Sequence, residues 1–150
     1  MLNGRKTEYS EEVIVSDGFW GNISISEFQK QRAIPLQIPL ELIKTALIGA
    51  MQSLEIDLAE LVSQYRTGGI HYASEIKGTV INGETAAQAL YKKALFARAK
   101  HDLLPEFATM SARDLHEKRD IVEEQKQLLT ESVHAIRTLK NKRRGSVWII

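Results

Sequence analysis

Cysteine is absent from this 150-residue chain, and proline, aromatic residues and uncompensated charge are all scarce. Without cysteine the chain has neither a disulfide nor a thiolate metal site. Its 20 basic and 19 acidic side chains leave a formal net charge of +1, which argues against a uniformly polycationic protein. No apolar run approaches the roughly 18–20 residues of a membrane-spanning helix, and the N-terminus lacks the apolar stretch of a signal peptide. These absences favour one globular domain in a reducing cytoplasm, with no membrane partner.

Apolar residues recur at spacings of three and four along most of the chain, a pattern typical of amphipathic helices. The first stripe predicts a single helix of about seven turns that begins at Pro39 and ends at Gly68-Gly69. The second predicts a helix that Pro105 ends or kinks, and the third a helix capped by Ser111. The core-facing positions are expected to be Ile43, Leu47, Met51, Leu54, Leu58, Leu61 and Tyr65, then Leu90, Ala94, Ala97, His101 and Leu104, then Leu115, Val122, Leu129, Val133, Ile136 and Leu139.

The predicted fold class is therefore all-α: a small bundle of three long helices with extended arms at both ends. A short N-terminal helix, capped by Ser24 or Ser26, precedes the long ones. The expected organisation is an N-terminal arm over 1–22, a helical domain over 23–140 and a basic hinge with an apolar tail over 141–150.

Two features outside the helices have open interpretations. Phe19 and Trp20 either anchor the N-terminal arm on the core or contact a partner. Asn82-Gly83 resembles a hairpin turn, but the residues after it are helical in composition. The sequence is therefore interpreted as starting a helix there, with Glu84 in its first turn.

Side chains suited to catalysis are not brought together by any recognisable motif. His116-Glu117-Lys118-Arg119-Asp120 lacks the second histidine of a helical zinc motif, and no serine lies in a nucleophile elbow. The sequence predicts no catalytic residue, no metal site and no cofactor, and it disfavours an enzyme.

The C-terminus carries the strongest signal in the chain. Lys140, Lys142, Arg143 and Arg144 are concentrated in five positions. One interpretation is a basic helix end that complements the helix dipole by ~0.3–1 kcal/mol. The other is sequence-independent contact with nucleic-acid phosphates, and the two are compatible.

Four large apolar residues, Val147, Trp148, Ile149 and Ile150, end the chain after Gly145. Burying each such side chain is worth roughly 1.5–3 kcal/mol, and their composition favours an extended strand. The tail either folds back on its own domain or leaves it to add to another protein. The preceding basic run and glycine favour the second interpretation.

The order of these segments resembles the head completion proteins of temperate, contractile-tailed phages. The likeness is carried by Phe19-Trp20-Gly21-Asn22-Ile23 before Ser26-Glu27-Phe28, the helix from Pro39, Ile81-Asn82-Gly83-Glu84-Thr85 before Leu90-Tyr91-Lys92-Lys93-Ala94, and the terminal Ile149-Ile150. It covers most of residues 19–150.

The resemblance implies a structural neck adaptor in the virion. Such a protein assembles as a ring on the portal of a DNA-filled head, twelvefold to match a portal, stabilises the packaged head and provides the docking surface for the tail. Its implied partners are the portal, a tail terminator or other tail-side neck protein, and packaged DNA. Val147 to Ile150 would then bind the portal, and Lys140 to Arg144 would face DNA. The alternatives are a helical nucleic-acid-binding protein that uses the basic cluster and, less favoured, a helical scaffold for a host protein.

Overall fold

The computed structural model describes residues 8–111 and 115–141, with side chains over 8–107 and 120–141. Helices dominate, and two small antiparallel sheets accompany them. The elements in chain order are β1 (Val13–Ile14), β2 (Ile23–Ser24), α1 (Ile25–Gln31), α2 (Leu40–Asp57), α3 (Ala59–Thr67), a 3₁₀ turn (Ala73–Glu75), β3 (Val80–Ile81), β4 (Glu84–Thr85), α4 (Ala86–Ser111) and α5 (Leu115–Leu139).

The described part of the N-terminal arm is folded against the helices. β1 pairs with β2, and Ser24 caps α1 by accepting a hydrogen bond from the Glu27 backbone amide, which confirms one of the two predicted caps. The Ser10 amide donates to Gln29 Oε1, and the Glu12 carboxylate lies 2.6 Å from Lys44 Nζ. The arm is thus fastened to both α1 and α2.

The predicted seven-turn helix is interrupted at Leu58, which separates α2 from α3. Leu58 has φ −105° and ψ 5°, although its amide still bonds to the Leu54 carbonyl. Neither glycine nor proline occupies this position, so local propensity gave no sign of the break. The bend brings Tyr65 of α3 into stacking contact with Phe19 of the arm, with ring centroids 5.7 Å apart. α3 ends at Gly68-Gly69 as predicted, with Gly69 at φ +90°.

The interpretation of Asn82-Gly83 as a helix start is wrong, because these residues form the turn of a β-hairpin. Asn82 has φ 49° and Gly83 has φ 79°, the paired positive values of a type I′ turn, and β3 pairs with β4 across it. The helix start is three residues later. Thr85 Oγ1 accepts from the Gln88 amide while Gln88 Oε1 accepts from the Thr85 amide, a capping box.

Pro105 does not end the second long helix, because α4 continues to Ser111. A proline cannot donate to the carbonyl four residues earlier, here that of His101. Gln125 Nε2 on α5 donates to this carbonyl at 3.1 Å and replaces the missing partner. Ser111 is the last residue of α4, so the prediction that it caps the third long helix is wrong.

The predicted inward face of α5 is displaced by one position over much of its length. Val122, Leu129 and Val133 are 49%, 47% and 42% exposed, and the predicted core position of His101 on α4 is only half-buried. Among the side chains described for α5, which start at residue 120, the buried ones are Ile121, Leu128, Ser132, Ala135, Ile136 and Leu139. The side chain of Leu115, another predicted core residue, lies outside the described ones.

The register of α5 is fixed by hydrogen bonds that apolar periodicity does not reveal. Fully buried Ser132 donates to the Ala94 carbonyl at 3.1 Å and accepts from Arg98 Nε at 2.9 Å. Arg98 also donates to Ser53 and Asp57 on α2. A serine therefore occupies the centre of the helix contact, and α4 lies between α2 and α5.

The main core lies where α2, α4 and α5 meet and continues to α1 and the arm. Leu47, Leu54 and Leu58 of the first predicted stripe are buried there, whereas Met51 and Leu61 pack at its edge. A smaller cluster of Ala97, Leu104, Ile121 and Leu128 extends along α4 and α5.

Candidate functional site

Helix α5 ends immediately before the predicted basic and apolar C-terminal segment. Because α5 runs antiparallel to α4, as the Ala94–Ser132 and His101–Gln125 contacts require, it ends beside the start of α4. Leu139 is buried in the main core, and half-buried Lys140 follows it.

Asn141 turns the chain out of the last helical turn. Its φ is 58°, and its amide bonds to the Thr138 carbonyl at 3.0 Å, so it occupies the left-handed position that commonly ends helices. Residues before this point are anchored by Leu139, and residues after it carry the remaining predicted site.

A network of ion pairs joins α5 to three other elements. Arg32, at the end of α1, binds both carboxylate oxygens of Glu131 on α5, at 2.6 and 3.0 Å, and donates to the Lys93 carbonyl on α4. Lys92 of α4 contacts the carboxylates of Glu27 on α1 and Glu84 on β4. The network thus connects α1, β4, α4 and the part of α5 around Glu131.

The network also neutralises the charges within it. The hydrogen bond from Arg32 lowers the pKa of Glu131, against a smaller opposing effect of burial. For Lys92, burial favours the neutral amine, but hydrogen bonds and charge from Glu27 and Glu84 outweigh it and raise the pKa. Lys92 is therefore charged but matched by two carboxylates, so it adds little to a phosphate-binding surface.

A second feature is an aromatic groove of about 700 Å³ between the arm, the α2–α3 bend and α4. Trp20 stacks flat on Tyr91 at 4.6 Å, and Phe19, which is buried, contacts Trp20 edge-on at 5.0 Å. Burial, with a smaller contribution from Glu55, raises the pKa of Tyr91 to about 12. These contacts confirm that Phe19 and Trp20 anchor the arm.

The predicted site residues are only partly within the described chain. Lys140 lies at the end of α5, whereas Lys142, Arg143 and Arg144 and the tail residues Val147, Trp148, Ile149 and Ile150 lie outside the described residues. Sequence reasoning missed the Arg32 and Lys92 networks, because their partners are far apart in the chain. It also missed the Thr85 capping box, although the Thr-x-x-Gln spacing of Thr85 and Gln88 signals one.

The described residues do not bring together the donor set that a metal ion requires. Across 8–111 and 115–141, with the side chains given for them, no group of three or more His, Asp or Glu side chains could hold a metal ion. Among the same residues, no helix is long and apolar enough to cross a membrane.

Comparison with known proteins identifies the family. Residues 14–150 match the family described as phage head completion protein (GPL). The chain is also 55% identical over 150 residues, the full length of both proteins, to a protein of Haemophilus phage HP1 described as a probable head completion/stabilization protein. No solved structure matches the chain. The family match covers nearly the whole sequence and agrees with the resemblance found in the arm, helices and C-terminus, so this chain belongs to the phage head completion protein family.

Proposed function

We propose that this protein is a neck adaptor that assembles as a ring on the portal of a DNA-filled phage head. In this role it stabilises the packaged head and presents a docking surface to a tail terminator or another tail-side neck protein. The ring follows the symmetry of the portal, for which we expect twelve copies. The protein is a structural component of the virion neck and carries out no catalysis.

The observation that carries the proposal is the division of the chain at the end of α5. Among the described residues the core ends at Leu139, and Asn141 turns the backbone out of the helix. The nine residues that follow include three basic and four large apolar side chains. We take this segment, which follows the last described core residue, to serve in binding.

In the proposed arrangement the C-terminal segment has two parts with separate partners. Val147, Trp148, Ile149 and Ile150 bind the portal as an added strand or apolar anchor. Lys140, Lys142, Arg143 and Arg144 lie toward the DNA channel and contact phosphates without reading sequence.

The energies favour binding by a ring over binding by one copy. Four apolar side chains contribute roughly 6–12 kcal/mol on burial, while ordering about six residues costs roughly 1–2 kcal/mol each. One tail is therefore a weak ligand. Several tails held together gain from effective concentration, so stable attachment requires assembly on the portal.

Removal of the tail tests the proposal directly. We expect deletion of residues 146–150, or Trp148→Ala, to preserve the helical circular-dichroism spectrum and the melting temperature. Both changes should weaken binding to assembled portal at least tenfold, because Trp148 is the largest apolar anchor in the segment. Tyr72→Ala serves as the matched control, since Tyr72 is an exposed aromatic outside the tail, and it should bind like the unaltered protein.

Two results would contradict the proposal. If the truncated chain binds the portal as well as the full chain does, the tail is not needed for binding. Loss of the folded state on truncation would mean that the tail completes the core. Each outcome is measured on the same samples, by circular dichroism for folding and by co-sedimentation with portal for binding.

A further inference from the structure

From Leu42 to Ile56 the outward face of α2 carries no charged side chain, and nothing in the described chain covers it. Steps of 100° along the helix place Leu42, Thr45, Ile48, Gln52 and Ile56 on one side, all exposed, with Ile48 at 48% and Ile56 at 78%. The charged residues Lys44 and Asp57 lie off this side and are paired, with Glu12 and Arg98 respectively.

Gly49 at the centre of this face is a second, independent sign of contact. Glycine in the middle of a helix lowers helix stability relative to alanine. A Cβ added at Gly49 would meet no atom within 4 Å, so no packing within the described residues accounts for the glycine. A bare backbone here lets another surface approach α2 closely.

A complementary surface lies on α5. Val122, Leu129 and Val133 form an exposed apolar stripe because the helix buries the neighbouring set of positions instead. The stripe rises about 16 Å along its helix, and the α2 face rises about 21 Å. The two surfaces are on different helices that each pack on α4.

The charges near the α2 face and the α5 stripe determine which pairing of these surfaces is favourable. The exposed carboxylate of Glu41 lies at the N-terminal end of the α2 face and that of Glu55 at its edge, and Glu41 also lies 3.5 Å from Lys44. Lys126, which also lies 3.6 Å from Glu123, is exposed on the α5 stripe between Val122 and Leu129, and Lys140 lies at the C-terminal end of the stripe. Pairing either surface with itself places like charges together, whereas pairing α2 of one copy with α5 of another places opposite charges together.

We infer that the uncharged face of α2 binds the apolar stripe of α5 on a second copy of this chain. Such a contact is head-to-tail, so every copy keeps one surface of each kind open and assembly continues until a ring closes. The inference rests on the proposed neck ring and identifies the two subunit surfaces that would build it.

Single-cysteine variants test the contact by cross-linking. Because the chain has no native cysteine, every cross-link formed comes from an introduced thiol. Full-length Ile48→Cys and Leu129→Cys proteins, one carrying a mass tag, are mixed at up to about millimolar concentration and treated with a short bismaleimide. We expect mixed dimers to exceed self-pairs of either variant at least tenfold. The double variant should give a ladder of higher oligomers. Tyr72→Cys paired with Leu129→Cys is the control for random collision, because Tyr72 is exposed but lies outside both surfaces.

Gly49→Leu in the double-cysteine background separates the interface from the fold. Leucine is a better helix former than glycine, so the melting temperature should hold or rise while the ladder falls at least tenfold. Three results would each overturn the inference. They are a predominance of self-pairs, cross-linking no higher than in the Tyr72 control, and an unchanged ladder of oligomers with Gly49→Leu. Tail-dependent binding to the portal is measured in a separate experiment. If the cross-linking results contradict the α2–α5 contact but the protein still binds the portal through its tail, the proposed function is unaffected.

Discussion

Leu54 lies at the closed centre of the α2 packing surface, with no exposed area. A carboxylate at this position would be buried without a partner, which is among the most costly single changes. We expect Leu54→Asp to lower the free energy of unfolding by about 4–5 kcal/mol and to abolish the cooperative melting transition. Circular dichroism during heating measures the effect.

The matched control for Leu54 is two residues further along the same helix. Ile56 is 78% exposed, so Ile56→Asp should leave the melting temperature within a few degrees of the unaltered protein. Equal effects of the two changes would refute the orientation assigned to α2.

Glu131 makes stability depend on pH through its pairing with Arg32. The Arg32 hydrogen bond lowers the carboxyl pKa in the folded state below its ordinary value of 4.5. The contribution to stability is therefore complete above pH 4.5 and is lost as the pH falls through the lowered pKa. Because the pair is partly solvated, its contribution is at most about 1 kcal/mol.

Urea unfolding of Glu131→Gln across pH 3–7 tests this dependence. We expect the variant to be less stable than the unaltered protein at pH 7 and the difference to shrink toward pH 3. Glu123→Gln is a control with an exposed carboxylate on the same helix. A stability difference for Glu131→Gln that stays constant over the whole range would exclude the ion pair as its source.

Helix α4 passes through Pro105 because α5 supplies the hydrogen bond that the proline cannot make. Gln125→Met should remove the donor to the His101 carbonyl and lower the free energy of unfolding by about 1 kcal/mol. Pro105→Ala restores the backbone donor, and alanine is favoured over proline by up to about 3 kcal/mol inside a helix. We therefore expect Pro105→Ala to stabilise the protein.

A double-mutant cycle distinguishes this compensation from independent effects. Gln125→Met should cost less in the Pro105→Ala background than alone, because the His101 carbonyl then has a backbone partner. Gln127→Met, at an exposed position of α5, should be neutral in both backgrounds. Strict additivity of the Pro105 and Gln125 changes in chemical denaturation would show that the contact is not coupled to the proline.

In the proposed neck ring, the basic cluster helps the DNA-filled particle to retain its DNA. Arg143 and Arg144 follow Leu139, the last core residue of the described chain, so reversing both to glutamate should leave folding unchanged. We expect filled heads that carry Arg143→Glu and Arg144→Glu to lose DNA several times faster than unaltered heads. Added salt should narrow this difference, because it screens the interaction with phosphates.

The control for this charge reversal carries the same change in net charge elsewhere. Lys30→Glu with Lys77→Glu alters two exposed lysines of the helical domain and should not affect DNA retention. Nuclease protection of packaged DNA over a salt series measures both. Equal DNA retention by the unaltered particles, the arginine variant and the lysine control would contradict a contact between the cluster and DNA. The cluster would then serve only to complement the dipole at the end of the helix.

The amino-acid sequence by itself determined the helical fold class, a serine cap at Ser24 or Ser26, the glycine stop of α3 and, through the order of its segments, the family. The first three depend on local chemistry: apolar spacing, a hydroxyl before a helix, and a residue tolerant of positive φ. It also contains the turn signal of Asn82-Gly83, although the helical composition after this turn favours a helix start at the same place.

Only the tertiary structure decided which side of α5 faces inward, because Ile121-Val122 and Leu128-Leu129 offer adjacent apolar residues for two different stripes. Ser132 fixes the orientation of α5, because its buried hydroxyl donates to the Ala94 carbonyl and accepts from Arg98, both on α4. The passage of α4 through Pro105 depends in the same way on Gln125. Hydrogen bonds between residues distant in the chain have no period in the sequence, so only the folded helices could reveal them.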